Sequence, residues 1–199
     1  MDDTFKTIEK PSEGLFKDKG SRFISYAFPV NSEEEIREIV QSLKKEHHSA
    51  RHHCYAWRIG AEKLLFRVND DGEPSSTAGK PILGQIQSFD LTNILIVVVR
   101  YFGGTLLGVP GLINAYRNAA QDAINQAKIV EKLVEKWILI DFDYSVLNDV
   151  MKILKDEKLP QIDPKFDLSC KVKTHIRLSE SDRIIQGLLK IESVNISTI

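Results

Sequence analysis

Asn93-Ile94-Leu95-Ile96-Val97-Val98-Val99-Arg100-Tyr101-Phe102-Gly103-Gly104-Thr105-Leu106-Leu107-Gly108-Val109-Pro110-Gly111 is the stretch around which this chain is organised. From Asn93 it enters Ile94–Val99, a continuous β-branched and apolar run, the pattern of a central strand buried on both faces. A glycine-rich loop then begins at Arg100. Pro110 stands in the first turn of a following helix, where a missing N–H does no harm. Ile113, Tyr116, Ala120, Ala123, Ile124 and Ala127 recur at helical spacing, as far as about Lys128. A strand, a glycine loop and a helix N-terminus together can hold an anion on free backbone N–H groups and the helix dipole.

The loop matches no standard phosphate motif. Gly103 and Gly108 have the P-loop separation, but Val109-Pro110 occupy the positions of Lys-Ser/Thr, and the glycines miss the dinucleotide spacing. The plainer alternative is packing: glycines that let the loop turn and the helix approach the sheet.

Two other stretches carry chemistry. Asp70-Asp71-Gly72-Glu73-Pro74-Ser75-Ser76-Thr77-Ala78-Gly79-Lys80-Pro81 gathers three carboxylates, three hydroxyls and a lysine. It could bind a hard cation, although it lacks EF-hand spacing, or offer hydroxyls and N–H groups to a phosphate where a helix begins near Pro81. Alone it also reads as a solvated turn. His47-His48-Ser49-Ala50-Arg51-His52-His53-Cys54 suggests zinc, but there is no second Cys pair. Alternation on a strand sends His52 and Cys54 to one face and His53 to the other. Neither metal nor cofactor is expected; Cys54 is read as core and a histidine as lining a cleft.

The 199 residues suit one large domain or two small ones, with ordinary values of 42% hydrophobic and 28% charged residues. A net charge of -1 advertises neither nucleic acid nor membrane, so such a partner would need a local patch. Cys54 and Cys170 form no disulfide framework; both are expected as free thiols in a reducing compartment. The acidic start lacks a signal-peptide pattern, and the longest apolar run falls short of the ~20 residues of a membrane span. A soluble, cytoplasmic protein with no membrane partner is the expectation.

Elsewhere, Thr4–Glu9 reads as an edge strand, Pro11–Gly14 as a turn and Arg22–Phe28 as a strand. Ser32 and Glu35 form a capping box for a helix to about His47 or His48. Cys54–Ile59 and Lys63–Val68 read as a hairpin around Gly60-Ala61, and Pro81–Ile86 as a short helix. Ile129–Glu135 marks a boundary, giving domains 1–130 and 131–199. Beyond it come strand Trp137–Tyr144, helix Leu147–Lys158, strands Pro160–Phe166 and Leu168–Leu178, a helix capped by Ser179 or Ser181, and strand Ile191–Ile199. That order is ferredoxin-like.

Three motifs resemble the YigZ/IMPACT family: Ala50–Ala56; Asp70–Ser75 with Thr77–Pro81; and Arg100–Gly104 with Leu107-Gly108, Gly111-Leu112 and Ala115-Tyr116. Lys19–Ile24 matches the family's opening segment. The resemblance covers nearly the whole chain and implies two α+β domains. The first would be similar to domain IV of the translocating elongation factor and to domain 2 of a small-subunit ribosomal protein, the second to domain V of that factor. Eukaryotic IMPACT members act in translational control through a kinase pathway, using an extra N-terminal partner-binding domain. This chain starts at the shared domain, so that mechanism is not carried over. Leu106 stands where members often have Lys, Val109-Pro110 replace small residues, and Ser76 replaces a common Gly. These changes weaken an electropositive site and leave the glycine scaffold.

The leading expectation is a translation-linked protein that binds RNA or the ribosome through an anion-binding cleft. Its ligand-binding residues would be Arg67, Ser75, Ser76, Thr77, Gly79, Lys80, Arg100, Gly103, Gly104 and Gly108. The alternatives are a hydrolase of a phosphate-bearing or peptide-like small molecule, using Asp70, Asp71 or Glu73 with His52, and a protein–protein adaptor using the C-terminal sheet.

Overall fold

The computed structural model describes residues 3–199. They form two compact units, Phe5–Lys132, and Leu133–Ile199 with residues 3–4. The fold is α+β, and the ladders of its two larger sheets are antiparallel.

The first unit runs β1 (Thr4–Ile8), β2 (Ser12–Asp18), β3 (Ser21–Pro29), α1 (Glu33–Glu46), β4 (His52–Ile59), β5 (Leu65–Asn69), α2 (Gly79–Ser88), β6 (Ile94–Tyr101), α3 (Gly108–Gln126) and β7 (Ile129–Leu133). Five strands make the main sheet in the order β2-β3-β6-β4-β5, while β1 pairs with β7. The apolar run is therefore the central strand. Ile94, Ile96 and Val98 face Ile82, Ile86, Tyr116 and Ala119 of α2 and α3. Leu95, Val97 and Val99 face Ile36 and Leu43 of α1. All six β6 side chains are fully buried, each contributing about 1.5–3 kcal/mol by removal from water.

Three local expectations are corrected. β6 continues through Arg100 and Tyr101, because β3 and β4 flank it that far: Arg100 lies opposite Phe23 on one side and His52 on the other. And Pro11–Gly14 is not just a turn, since Ser12–Asp18 is the edge strand β2. Gly14 is there because α3 lies against it; a Cβ would sit 2.4 Å from Ala123 N. The α3 stripe is centred on Leu112, Ala115, Tyr116 and Ala119, leaving Ile113 half-buried. Ser32 caps α1, accepting from Glu35 N at 3.2 Å, and Glu35 Oε2 accepts from Asn31 N at 2.9 Å, one residue before the capping-box position.

The second unit runs β8 (Glu135–Asp143), α4 (Leu147–Asp156), β9 (Ile162–Phe166), β10 (Ser169–Arg177), α5 (Leu178–Leu188) and β11 (Asn195–Thr198). Its sheet order, β11-β8-β10-β9, is the 4-1-3-2 arrangement of a ferredoxin-like fold. Ile138, Ile140, Phe142, Val172 and Ile176 pack on Val150, Leu154, Ile184 and Leu188. Ser179 and Ser181 do not cap α5. The helix starts at Leu178, and Ser181 Oγ bonds Leu178 O at 2.8 Å. Asp3 serves this end instead, accepting from Arg177 Nη2 at 2.8 Å and from Ser179 N at 3.4 Å. Arg177 holds the Asp3 carboxyl well below the usual carboxylate range.

Cys54 and Cys170 are buried free thiols in different units. Among the described residues no helix is long and apolar enough to cross a membrane.

Candidate functional site

Arg100 leaves β6 on the α2–α3 face. Its guanidinium lies 5.5 Å from the rings of both Phe23 and Phe102, and Nη1 donates to Glu73 Oε1 at 2.7 Å. The same oxygen accepts from Tyr116 Oη at 2.8 Å. Side-chain exposure is 7% for Arg100 and 3% for Glu73, so this ion pair is shielded from water. Cys54 Sγ stands 3.3 Å from Tyr116 Oη and 3.0 Å from Asp70 O. Burial pushes the Cys54 thiol and the Tyr116 phenol far above their ordinary values, so neither ionises readily.

The loop between β5 and α2 is organised by its own carboxylates. Asp70 accepts from Ser76 N at 2.8 Å, Ala78 N at 3.0 Å and Gly79 N at 2.8 Å. It thereby fills the anion site at the α2 N-terminus, where the sequence suggested a phosphate. Asp71 accepts from His53 N at 2.8 Å and Lys44 Nζ at 2.9 Å. Burial pulls its pKa up, but the Lys44 ammonium and the His53 amide outweigh this and hold it below 3.8. His52 Nδ1 lies 2.9 Å from the Asp71 carbonyl, which can only accept. Nδ1 therefore carries a proton, and in the neutral ring it is Nε2 that holds the lone pair.

A cavity of about 440 Å³ opens beside these groups. Arg51, His52, Gly72, Glu73 and Arg100 form its polar side. Pro74, Phe102, Leu106, Leu107, Val109 and Leu112 form the apolar one, with Gly108 at the start of α3.

The Impact N-terminal domain matches residues 19–124, over half of the sequence. This chain belongs to the IMPACT family. It is 30% identical to the IMPACT family member YvyE of Bacillus subtilis over 94% of its own length and 87% of that protein's. It is also similar to a crystal structure of a hypothetical protein, with a TM-score of 0.77, 28% identity and coverage of 100% and 98% of the two chains. Yih1, described as a two-domain translational regulator, is 27% identical over 61% of this chain and 47% of its own, with a TM-score of 0.37.

In this IMPACT chain, His52, Glu73, Arg100 and Gly108 meet at the cavity. Other sequence-proposed residues lie elsewhere or are engaged. Arg67, Ser75 and Lys80 are exposed outside the lining. Ser76 gives its N–H to Asp70, and the buried Thr77 Oγ1 bonds Pro74 O at 2.6 Å. Gly79 is a packing residue, with a Cβ clash at 2.8 Å from Asn69 N. Gly103 is another: a Cβ would stand 1.9 Å from Gly20 C, and its N–H bonds Ser21 Oγ at 3.1 Å. Gly104, at φ +87°, faces open space. Sequence reasoning missed Tyr116 as the second donor to Glu73 and the exposed Phe102, Leu106 and Val109 at the mouth. The signal for the latter was a set of large apolar residues set among the glycines of one loop. Among the described residues, no cluster of three or more His, Cys, Asp or Glu is placed to hold a metal ion.

Proposed function

We propose that this IMPACT-family chain is a cytoplasmic binding protein of translational control that contacts RNA or the ribosome through its first unit. Kinship with a family that includes a translational regulator supports the setting. The observation that favours binding over hydrolysis is the engagement of every candidate acid: Asp70 by three backbone N–H groups, Asp71 by Lys44 and His53, Glu73 by Arg100 and Tyr116. A carboxylate tied in this way is a poor base or nucleophile. The exposed cations Arg51, Arg67 and Lys80 supply phosphate contacts at the surface. Co-sedimentation with ribosomes at rising salt tests the proposal. Binding through phosphates must weaken as counterions are released on contact. Salt-independent association favours the adaptor reading, and no association at any salt sinks the proposal.

His52, with Nδ1 held and Nε2 free at the cavity, keeps the hydrolase reading as a second possibility. Its mark would be turnover of a model phosphoester or amide that disappears in His52→Asn.

A further inference from the structure

We propose that the cavity beside Arg100 binds a small organic monocarboxylate with an apolar body. This deepens the reading of that cavity as a binding site and does not depend on RNA being the partner. The guanidinium of Arg100 sets the head group. Nη1 is turned to Glu73, while Nε, on the opposite edge, is buried without a partner. A buried donor left unbonded carries a desolvation cost, and an acceptor that reaches it from the cavity relieves that cost. The Nε edge is the side-on fork that fits a planar carboxylate with two parallel hydrogen bonds.

A second, independent feature points the same way. No side chain caps the 19-residue α3, and its first turn holds no acid. Gly108 and Val109 at that N-terminus line the cavity, which adds a partial charge of about +0.5 there. Glu73 sets the limit on charge. Its carboxylate sits on the other edge of the same guanidinium, so a dianion such as phosphate meets about twice the repulsion that a monoanion does. The walls define the body: Leu107 and Leu112 line the cavity, and Phe102, Leu106 and Val109 stand exposed around it. Leu106 is 82% exposed, an apolar side chain in water that a ligand body would cover.

The test is a titration of the ¹⁵N-labelled full chain with N-acetyl-L-leucine, its carboxamide, inorganic phosphate and a short peptide ending in leucine. The acid should shift the Gly108 and Val109 amide signals saturably. The carboxamide and phosphate should bind at least tenfold more weakly. Leu106→Asp, at an exposed loop position that spares the core, should weaken the acid at least tenfold. Arg100→Lys, which keeps a cation beside Glu73 and removes the fork, should abolish binding. A peptide binding tenfold tighter than the free acid would make the natural ligand a chain terminus; equal affinity would make it a free acid. The proposal is overturned if acid and carboxamide bind alike, if no acid in the series binds, or if Leu106→Asp changes nothing. A chain that binds the acid but ignores ribosomes would uphold this site and sink the translational reading; the reverse result would do the opposite.

Discussion

Replacing Arg100 by alanine should damage the fold of the first unit before it tells anything about binding. The substitution leaves the Glu73 carboxylate, 3% exposed, with only the Tyr116 hydroxyl as donor. Stranding one member of a buried ion pair costs about 3–5 kcal/mol. Losing the two flanking ring faces of Phe23 and Phe102 adds roughly 0.5–1 kcal/mol each. The first effect dominates. At about 4 °C per kcal/mol for a unit of this size, the midpoint should fall by at least ~12 °C. Glu73→Leu should cost a similar amount, because it strands the guanidinium. The double variant Arg100→Met with Glu73→Leu removes both charges and should lose only about 1–3 kcal/mol, the cost of leaving the Tyr116 hydroxyl without an acceptor. Urea unfolding followed by Trp57 fluorescence in a Trp137→Phe background reads the first unit alone, because these are the chain's two tryptophans. The reasoning fails if Arg100→Ala costs under about 1 kcal/mol, or if the double variant loses the full sum of the singles.

Asp70→Ala removes the acceptor of three N–H groups at the start of α2 and should cost about 2 kcal/mol in the same urea assay, at the upper end for a lost cap. Gly103→Ala should destabilise severely, since its Cβ would stand 1.9 Å from backbone, whereas Gly84→Ala, within α2 and with nothing inside 4 Å, should stabilise by about 0.5–1 kcal/mol. Burial lowers the His53 pKa from 6.5, so the unfolded chain takes the proton more readily; stability should be full above about pH 6.5 and decline below it, and His53→Gln should flatten that slope in pH-dependent melts. The depressed Asp71 pKa adds a separate loss only as pH falls below about 3.8. Last, a fragment of residues 5–132, which holds its own sheet and cores on both faces of that sheet, should unfold cooperatively by itself; a broad, non-cooperative transition would refute the proposed domain division.

What the sequence determined by itself was whatever depends on near neighbours. The β6 run read as a doubly covered strand, because a short continuous apolar stretch has no face for water and its β-branched residues favour a strand over a helix. Ser32 with Glu35 marked the start of α1, since a cap is made within four residues. In the second unit, element order sufficed to indicate the ferredoxin-like sheet. Contacts between distant segments were decided only by the tertiary structure. Gly14 looked like a turn residue until α3, more than a hundred positions later, came down on it. Asp3, at the edge of the described chain, serves the start of α5. Asp70, Asp71 and Glu73 looked alike as a run of acids, yet they have three different partners: a helix N-terminus, a lysine from α1, and an arginine from β6. Arg100 likewise read as the first residue of a ligand-binding loop, because nothing within a few residues of it predicts that β3 and β4 would flank it or that Glu73 would neutralise it. Periodicity and capping are local energies and show in a short window. The charge state, burial and availability of a side chain depend on which distant groups the fold brings to within ~3 Å of it.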